Sequence, residues 1–202
     1  MANNRVSTKS GTVIENPPLA RLLFDDTRLA VVWLVVRVLV GWEWLQAGWH
    51  KLSDPGWVST GEALKGFWTR IAAVPETGTP AIKYDWYRSF IQGMLDSGAY
   101  TWFAKVIAFG ETAIGVALIL GAFVGVAAFF AGFMNWNFLM AGSTSSNPIL
   151  FVGALALVLA WKIAGYYGAD RYLLRLLGTP WQTTQQAKAT EAKEDIGLVT
   201  NR

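Results

Sequence analysis

TAIGVALILGAFVGVAAFFAGFMNWNFLMAGSTSSNPILFVGALALVLAW, residues 112–161, contains no Lys, Arg, Asp, Glu or His. As helix, a run of about 50 residues would cross a hydrocarbon core of about 30 Å twice, and no soluble core needs such a run. Two turn signals divide it. Gly121-Ala122-Phe123-Val124-Gly125 makes a tight uncharged connection, and Ser143-Thr144-Ser145-Ser146-Asn147-Pro148 reads as a loop whose proline opens the next helix.

Working outward from that stretch, four segments reach membrane-spanning length: 29–48, 102–120, 123–141 and 149–167. The predicted fold is an all-α integral membrane protein, a four-transmembrane-helix bundle whose membrane domain covers 29–181. Small residues recur at Ala156, Ala160, Ala164 and Gly168, and at Gly121, Gly125, Ala128 and Gly132, as packing faces where backbones approach closely. Residues 1–28 form a polar segment without the features of a cleaved secretory signal, and residues 182–202 read as a disordered tail. Basic residues flanking the first and last helices and in both tails favour cytoplasmic termini in a multi-pass cell-membrane protein.

The composition agrees. Only 15% of the 202 residues are charged, and the mean hydropathy is +0.32. The net charge of +3 is spread thinly, which argues against a nucleic-acid partner. With no cysteine and one histidine, the chain offers no disulfide, thiolate metal site, iron–sulfur ligation or bis-histidine haem. No metal or haem is therefore expected, and any redox role would use a bound small molecule such as quinone, or a cofactor on a partner.

The long first loop, 52–100, is too long to be structureless. Leu64, Phe67, Trp68 and Ile71 fall at helical spacing within 61–74, as do Trp86, Tyr87, Phe90, Ile91 and Met94 within 84–95. Both read as interfacial helices over the bundle, amid tryptophans that form an aromatic belt or, in part, line a ligand mouth.

Several polar side chains fall at membrane depth. At about 1.5 Å per residue, Arg37, Glu111 and Asn135 share a layer near the midplane, which predicts an Arg37–Glu111 pair, either structural or engaged in ligand or proton handling. Glu43 and His50 lie two turns apart on one face and could line an opening, although His50 beside Lys51 also suits a plain interfacial position. Asn135 and Asn137 suit interhelical hydrogen bonds or a ligand carbonyl. Arg37, Gly41, Trp44, Gly48 and Lys51 share a face that should contact another helix, with Lys51 free to snorkel to the headgroups.

Arg37-x3-Gly41 followed by Gly48-Trp49-His50-Lys51-Leu52, and Glu111-x3-Gly115-x2-Leu118-x2-Gly121, resemble the DoxX/DoxD family of small four-helix membrane proteins. Met134-Asn135-Trp136-Asn137-Phe138 and Ser146-Asn147-Pro148 resemble its DoxD-like branch. The resemblance implies a membrane subunit of a quinone-linked oxidoreductase, such as thiosulfate:quinone oxidoreductase, or a scaffold that recruits a soluble redox enzyme. On the first reading Glu111, Arg37, Glu43 and His50 are candidates for catalysis and proton transfer. Lys51, Trp44, Trp49, Asn135 and Asn137 are then candidates for binding substrate or quinone, with a second oxidoreductase subunit as partner.

Overall fold

The computed structural model describes residues 6–7, 13–14 and 16–177, most of which are helical. A two-residue antiparallel pairing of β1 (Val6–Ser7) with β2 (Val13–Ile14) comes first. α1 (Pro18–Asp25) opens on proline, whose missing N–H costs nothing at that position. Asp26 then caps a 3-10 turn (Thr27–Leu29) by accepting from the Arg28 backbone N–H, and the turn runs into α2 (Ala30–Leu52).

Turn and helix together form the apolar run Thr27–Leu52; with α6 (Tyr100–Leu120) it gives two helices long and apolar enough to cross a membrane. α7 (Val124–Met140) and α8 (Asn147–Leu159) are apolar but shorter. The segment predicted as a fourth span, 149–167, is not one helix: α8 stops at Leu159 and α9 (Trp161–Ala164) follows, before the chain turns into α10 (Asp170–Leu176). The interruption falls at Ala160, with φ −88° and ψ 8°, and just beyond it the ammonium of Lys162, the first charge after the long apolar run, meets Asp25 at 2.8 Å. Partial burial would raise the Asp25 carboxyl, but the hydrogen bonds from Lys162 and Asn16 outweigh it and hold the group below its ordinary value.

α2 and α6 run antiparallel in the most extensive contact of the fold. Glycine makes that contact possible: a Cβ on Gly41 would lie 2.9 Å from Leu118 Cβ, and one on Gly115 would lie 2.5 Å from the Leu45 backbone N. A Cβ on Gly48 would collide with Thr112. The buried residues of α2 include Arg37, Gly41, Trp44 and Gly48, the face predicted to meet another helix. α7 and α8 form the second large contact, where a Cβ on Gly132 would meet Ala154 at 3.7 Å. Trp33, Val40, Trp44, Leu118, Ala128 and Leu157 belong to the core these helices enclose.

The first loop does contain helices: α3 (Pro55–Val58), α4 (Glu62–Ala72) and α5 (Asp85–Asp96). α4 buries Leu64, Trp68 and Ile71, and α5 buries Tyr87 and Ile91. With Ile82 these residues pack against Ala104 and Ile107 on the first half of α6, giving a second core at the end of the bundle where α2 finishes. The expected tail, 182–202, lies outside the described residues, as does most of the segment 1–28 that precedes Asn16.

Candidate functional site

Helix register separates the two charges predicted to pair. Gly48 sits against Thr112, and Gly41 against Gly115 and Leu118, so Glu111 lies level with the end of α2 while Arg37 lies level with the end of α6. Glu111 is thus about twelve residues, or about 18 Å, along the helix axis from Arg37. The prediction of an Arg37–Glu111 pair is corrected: counting depth from assumed span ends placed the two helices out of register. Each charge finds another partner, and the bundle has two polar centres.

The first lies where α6 ends. Arg37, 1% exposed, donates to the carbonyls of Leu118 at 2.8 Å, Ile119 at 3.4 Å and Tyr167 at 3.1 Å. Gly121, with φ +68°, and Gly168 leave room for the guanidinium, since a Cβ on either would run into it. Asp170 faces the other side of the same turn and accepts from the backbone N–H of Phe123 at 2.5 Å and of Val124 at 2.9 Å. That grip holds Phe123 at a left-handed φ of +50°, unusual for a bulky residue. Burial pushes the Asp170 carboxyl up, opposed by the two amides and by Arg37. The sequence reading missed Asp170; its signal was an acid in the first turn of a short helix directly after Gly168. An apolar cleft of about 360 Å³ opens beside this centre, lined by Phe123, Val126, Phe129, Trp161, Asp170 and Leu174 among others.

The second centre lies toward the end of α2. Lys51 Nζ meets Glu111 Oε2 at 2.6 Å, with Glu111 1% exposed, and stands 5.2 Å from the centre of the Trp57 ring. Lys51 was expected to snorkel outward. It turns inward because it shares the buried face of Trp44 and Gly48, which carries it over α6. Trp44 stacks on Phe138 of α7 with ring centres 6.4 Å apart, and Asn135, one turn below Phe138, is fully buried. Met134 of α7 lies beside Gly110 of α6, which places Asn135 in the same layer as Glu111. Neither Nδ2 nor Oδ1 of Asn135 has a hydrogen-bond partner among the described residues, and neither has Trp44 Nε1. Buried polar groups are ordinarily satisfied, so the unmatched amide of Asn135 in the layer of Glu111 marks a place that accepts something polar, while Trp44 lies about four residues further along α2.

The remaining predicted residues are not brought to this centre. Asn137 is half-buried; it donates to the Phe133 carbonyl at 2.8 Å, and its own carbonyl accepts from the Tyr87 hydroxyl at 3.1 Å, tying α7 to α5. Tyr87 went unnoticed in that role, although it stood at the helical spacing of Ile91 and Met94. Glu43, Trp49 and His50 stand exposed on the opposite side of α2. Glu43 and His50 do share a face, as their spacing required, but successive helical residues are about 100° apart and that face is not the one carrying Trp44 and Lys51. Chemically, this layer brings together a paired acid and amine and an amide that can donate or accept, with the indole N–H of Trp44 further along α2. No cluster of metal-ligating residues occurs among the described residues.

The fold and site define a helical protein with two helices fit to cross a membrane, closed at one end by a charged double cap and carrying near the other a buried ion pair beside unmatched polar groups. No protein family, no curated protein and no solved structure matches the chain.

Proposed function

We propose that the chain is a four-span membrane protein with both termini cytoplasmic: α2, α6, α7 and α8 continued by α9 cross the bilayer, and α3 to α5 lie over the outer mouth. It serves as the membrane subunit of a quinone-linked oxidoreductase of the DoxX/DoxD kind, passing electrons from thiosulfate or another reduced sulfur donor to quinone. The observation that carries this reading is the buried, unmatched amide of Asn135 in the layer of the Lys51–Glu111 pair. A quinone carbonyl accepts from Asn135 Nδ2 and Trp44 Nε1, and the hydroquinone hydroxyl donates to Asn135 Oδ1, so one amide serves both redox states. Two thiosulfate ions joined through sulfur release two electrons; the quinone takes those electrons and two protons, with Glu111 and Lys51 as the proton relay. The chain has no cysteine and one histidine, so the electrons pass directly from donor to quinone or through a partner's cofactor.

The test is quinone reduction by thiosulfate in vesicles holding the purified chain, compared with empty vesicles and with Asn135→Leu. A rate that Asn135→Leu abolishes supports the reading, and no rate above empty vesicles overturns catalysis by the chain alone. A second reading, a non-catalytic scaffold for a soluble redox enzyme, is favoured by the exposed aromatic surface of Tyr84, Trp86 and Phe90 at α5. Recovery of a stoichiometric soluble partner bound through that surface distinguishes it.

A further inference from the structure

The outward side of α2 carries a pattern that neither polar centre uses. Val32, Val35, Leu39, Trp42, Gln46 and Trp49 are spaced three, four, three, four and three residues apart, and all are exposed. This is the spacing of a heptad seam, the stripe by which one helix packs along another. Toward its outer end stands Gln46, flanked by Glu43 and His50, and among the described residues no hydrogen bond or ion pair engages any of the three side chains.

Depth makes that stripe informative. The run Thr27–Leu52 has 26 residues, about 39 Å of helix, which overhangs a core of about 30 Å by about 4–5 Å at each end when centred. Gln46 then lies about 4 Å and Glu43 about 9 Å below the outer boundary of the core. An amide and a carboxylate at those depths almost always face protein, because lipid tails cannot satisfy them. Something with complementary hydrogen-bonding groups at the same depths covers this face.

We propose that two copies of this chain pair through parallel α2 seams about a two-fold axis along the membrane normal. Such an axis sets each seam residue opposite its own counterpart and brings Gln46 within one turn, about 4.5 Å in height, of the partner's Glu43. The Gln46 amide donates to that carboxylate, and the symmetry repeats the bond, so both buried carboxylates are matched without any other chain. Val35 and Leu39 supply the apolar lower part of the seam, Trp42 and Trp49 the upper part. A single polar position in an otherwise apolar seam fixes register and copy number, the use for which such residues are best known. The proposal rests on the membrane placement of α2 and not on the redox activity.

The chain has no cysteine, which makes the test clean. Single variants Gln46→Cys and Leu39→Cys, oxidised in native membranes, should each give a disulfide-linked dimer, while Val116→Cys, on the exposed side of α6, should not. Native mass spectrometry in lipid should report twice the chain mass, falling to one chain mass in the double variant Glu43→Leu/Gln46→Leu while the protein stays in the membrane fraction. A monomer in lipid with no cross-link at either seam cysteine overturns the proposal, as does a different protein cross-linked at both. Recovery of the wild-type chain in the soluble fraction would instead overturn the membrane placement, a separate failure with its own signature.

Discussion

Arg37 and Asp170 hold opposite sides of one turn: the guanidinium takes the last carbonyls of α6, and the carboxylate takes the first amides of α7. A cation at a helix C-terminus and an anion at a helix N-terminus each oppose the helix dipole, so the two charges stabilise the turn from both directions. Arg37 also ties that turn to the Tyr167 carbonyl, which locks the end of the fourth helical segment to α2.

Removing either charge opens that lock. Arg37→Gln should destabilise the bundle by about 1.5–3 kcal/mol for each charge-assisted bond lost, and Asp170→Asn should cost about as much. Unfolding in detergent, followed by circular dichroism, gives both values. Because the residues act on one turn, the double variant should lose less than the sum, and strict additivity would contradict the shared-turn account.

The Lys51–Glu111 pair predicts a sharper contrast. Glu111→Gln strands the ammonium in a buried site and should cost about 3–5 kcal/mol, whereas Lys51→Met/Glu111→Leu removes both charges and should be nearly neutral. If quinone reduction depends on this pair, the stable double variant should still be inactive. A folded, fully active double variant would remove both residues from the proton relay.

Glycine positions separate packing from propensity. Gly48→Ala drives a methyl into Thr112 at the α2–α6 contact and should destabilise by about 1–3 kcal/mol, with Gly115→Ala behaving alike. Gly93→Ala, in the middle of α5 with nothing within 4 Å of the new carbon, should stabilise by about 0.5–1 kcal/mol. Thermal midpoints of the three variants moving together would refute the assigned close approaches.

The Asp25–Lys162 bridge carries a pH signature. The folded-state value of Asp25 is depressed, so its contribution is fully present above the unfolded value of about 4 and is lost as pH falls through the lower folded value. Hydrogen exchange in α1 should be slow at neutral pH and rise below about pH 4, whereas Asp25→Asn should show the faster exchange at neutral pH already. Exchange in α1 that is unchanged by the substitution would show that the bridge does not anchor this helix.

The helices themselves were legible because their signals are local. The charge-free run, the glycine turn at 121–125 and Pro148 gave α6, α7 and α8, and the spacing of Leu64, Trp68 and Ile71 gave α4. The buried face of α2 was legible for the same reason, since periodicity alone puts Arg37, Gly41, Trp44 and Gly48 together. What could not be read was register. Which residue of α6 lies beside Gly48 depends on where two glycines allow backbones to meet, and depth counted from assumed span ends misplaced Glu111 by about twelve residues along the axis, beside Arg37 instead of Lys51. The break after Leu159 was not legible either, and the partner that Lys162 meets just beyond it, Asp25 on α1, is remote in sequence.

The widest contact in the molecule joins two helices that synthesis keeps apart. α7 follows α6 after a three-residue turn and α8 follows α7 closely, so those hairpins close as they emerge. α2 must wait until residues 53–99 have been made and α6 has arrived, and through that interval Arg37 lacks the carbonyls of Leu118 and Ile119 while Lys51 lacks Glu111. On the proposed membrane placement, a lone α2 with Arg37 unmatched at depth is poorly retained in lipid, which makes the arrival of α6 the committing step in biogenesis. Changes that slow it, rather than changes to the finished bundle, would dominate yield in the cell.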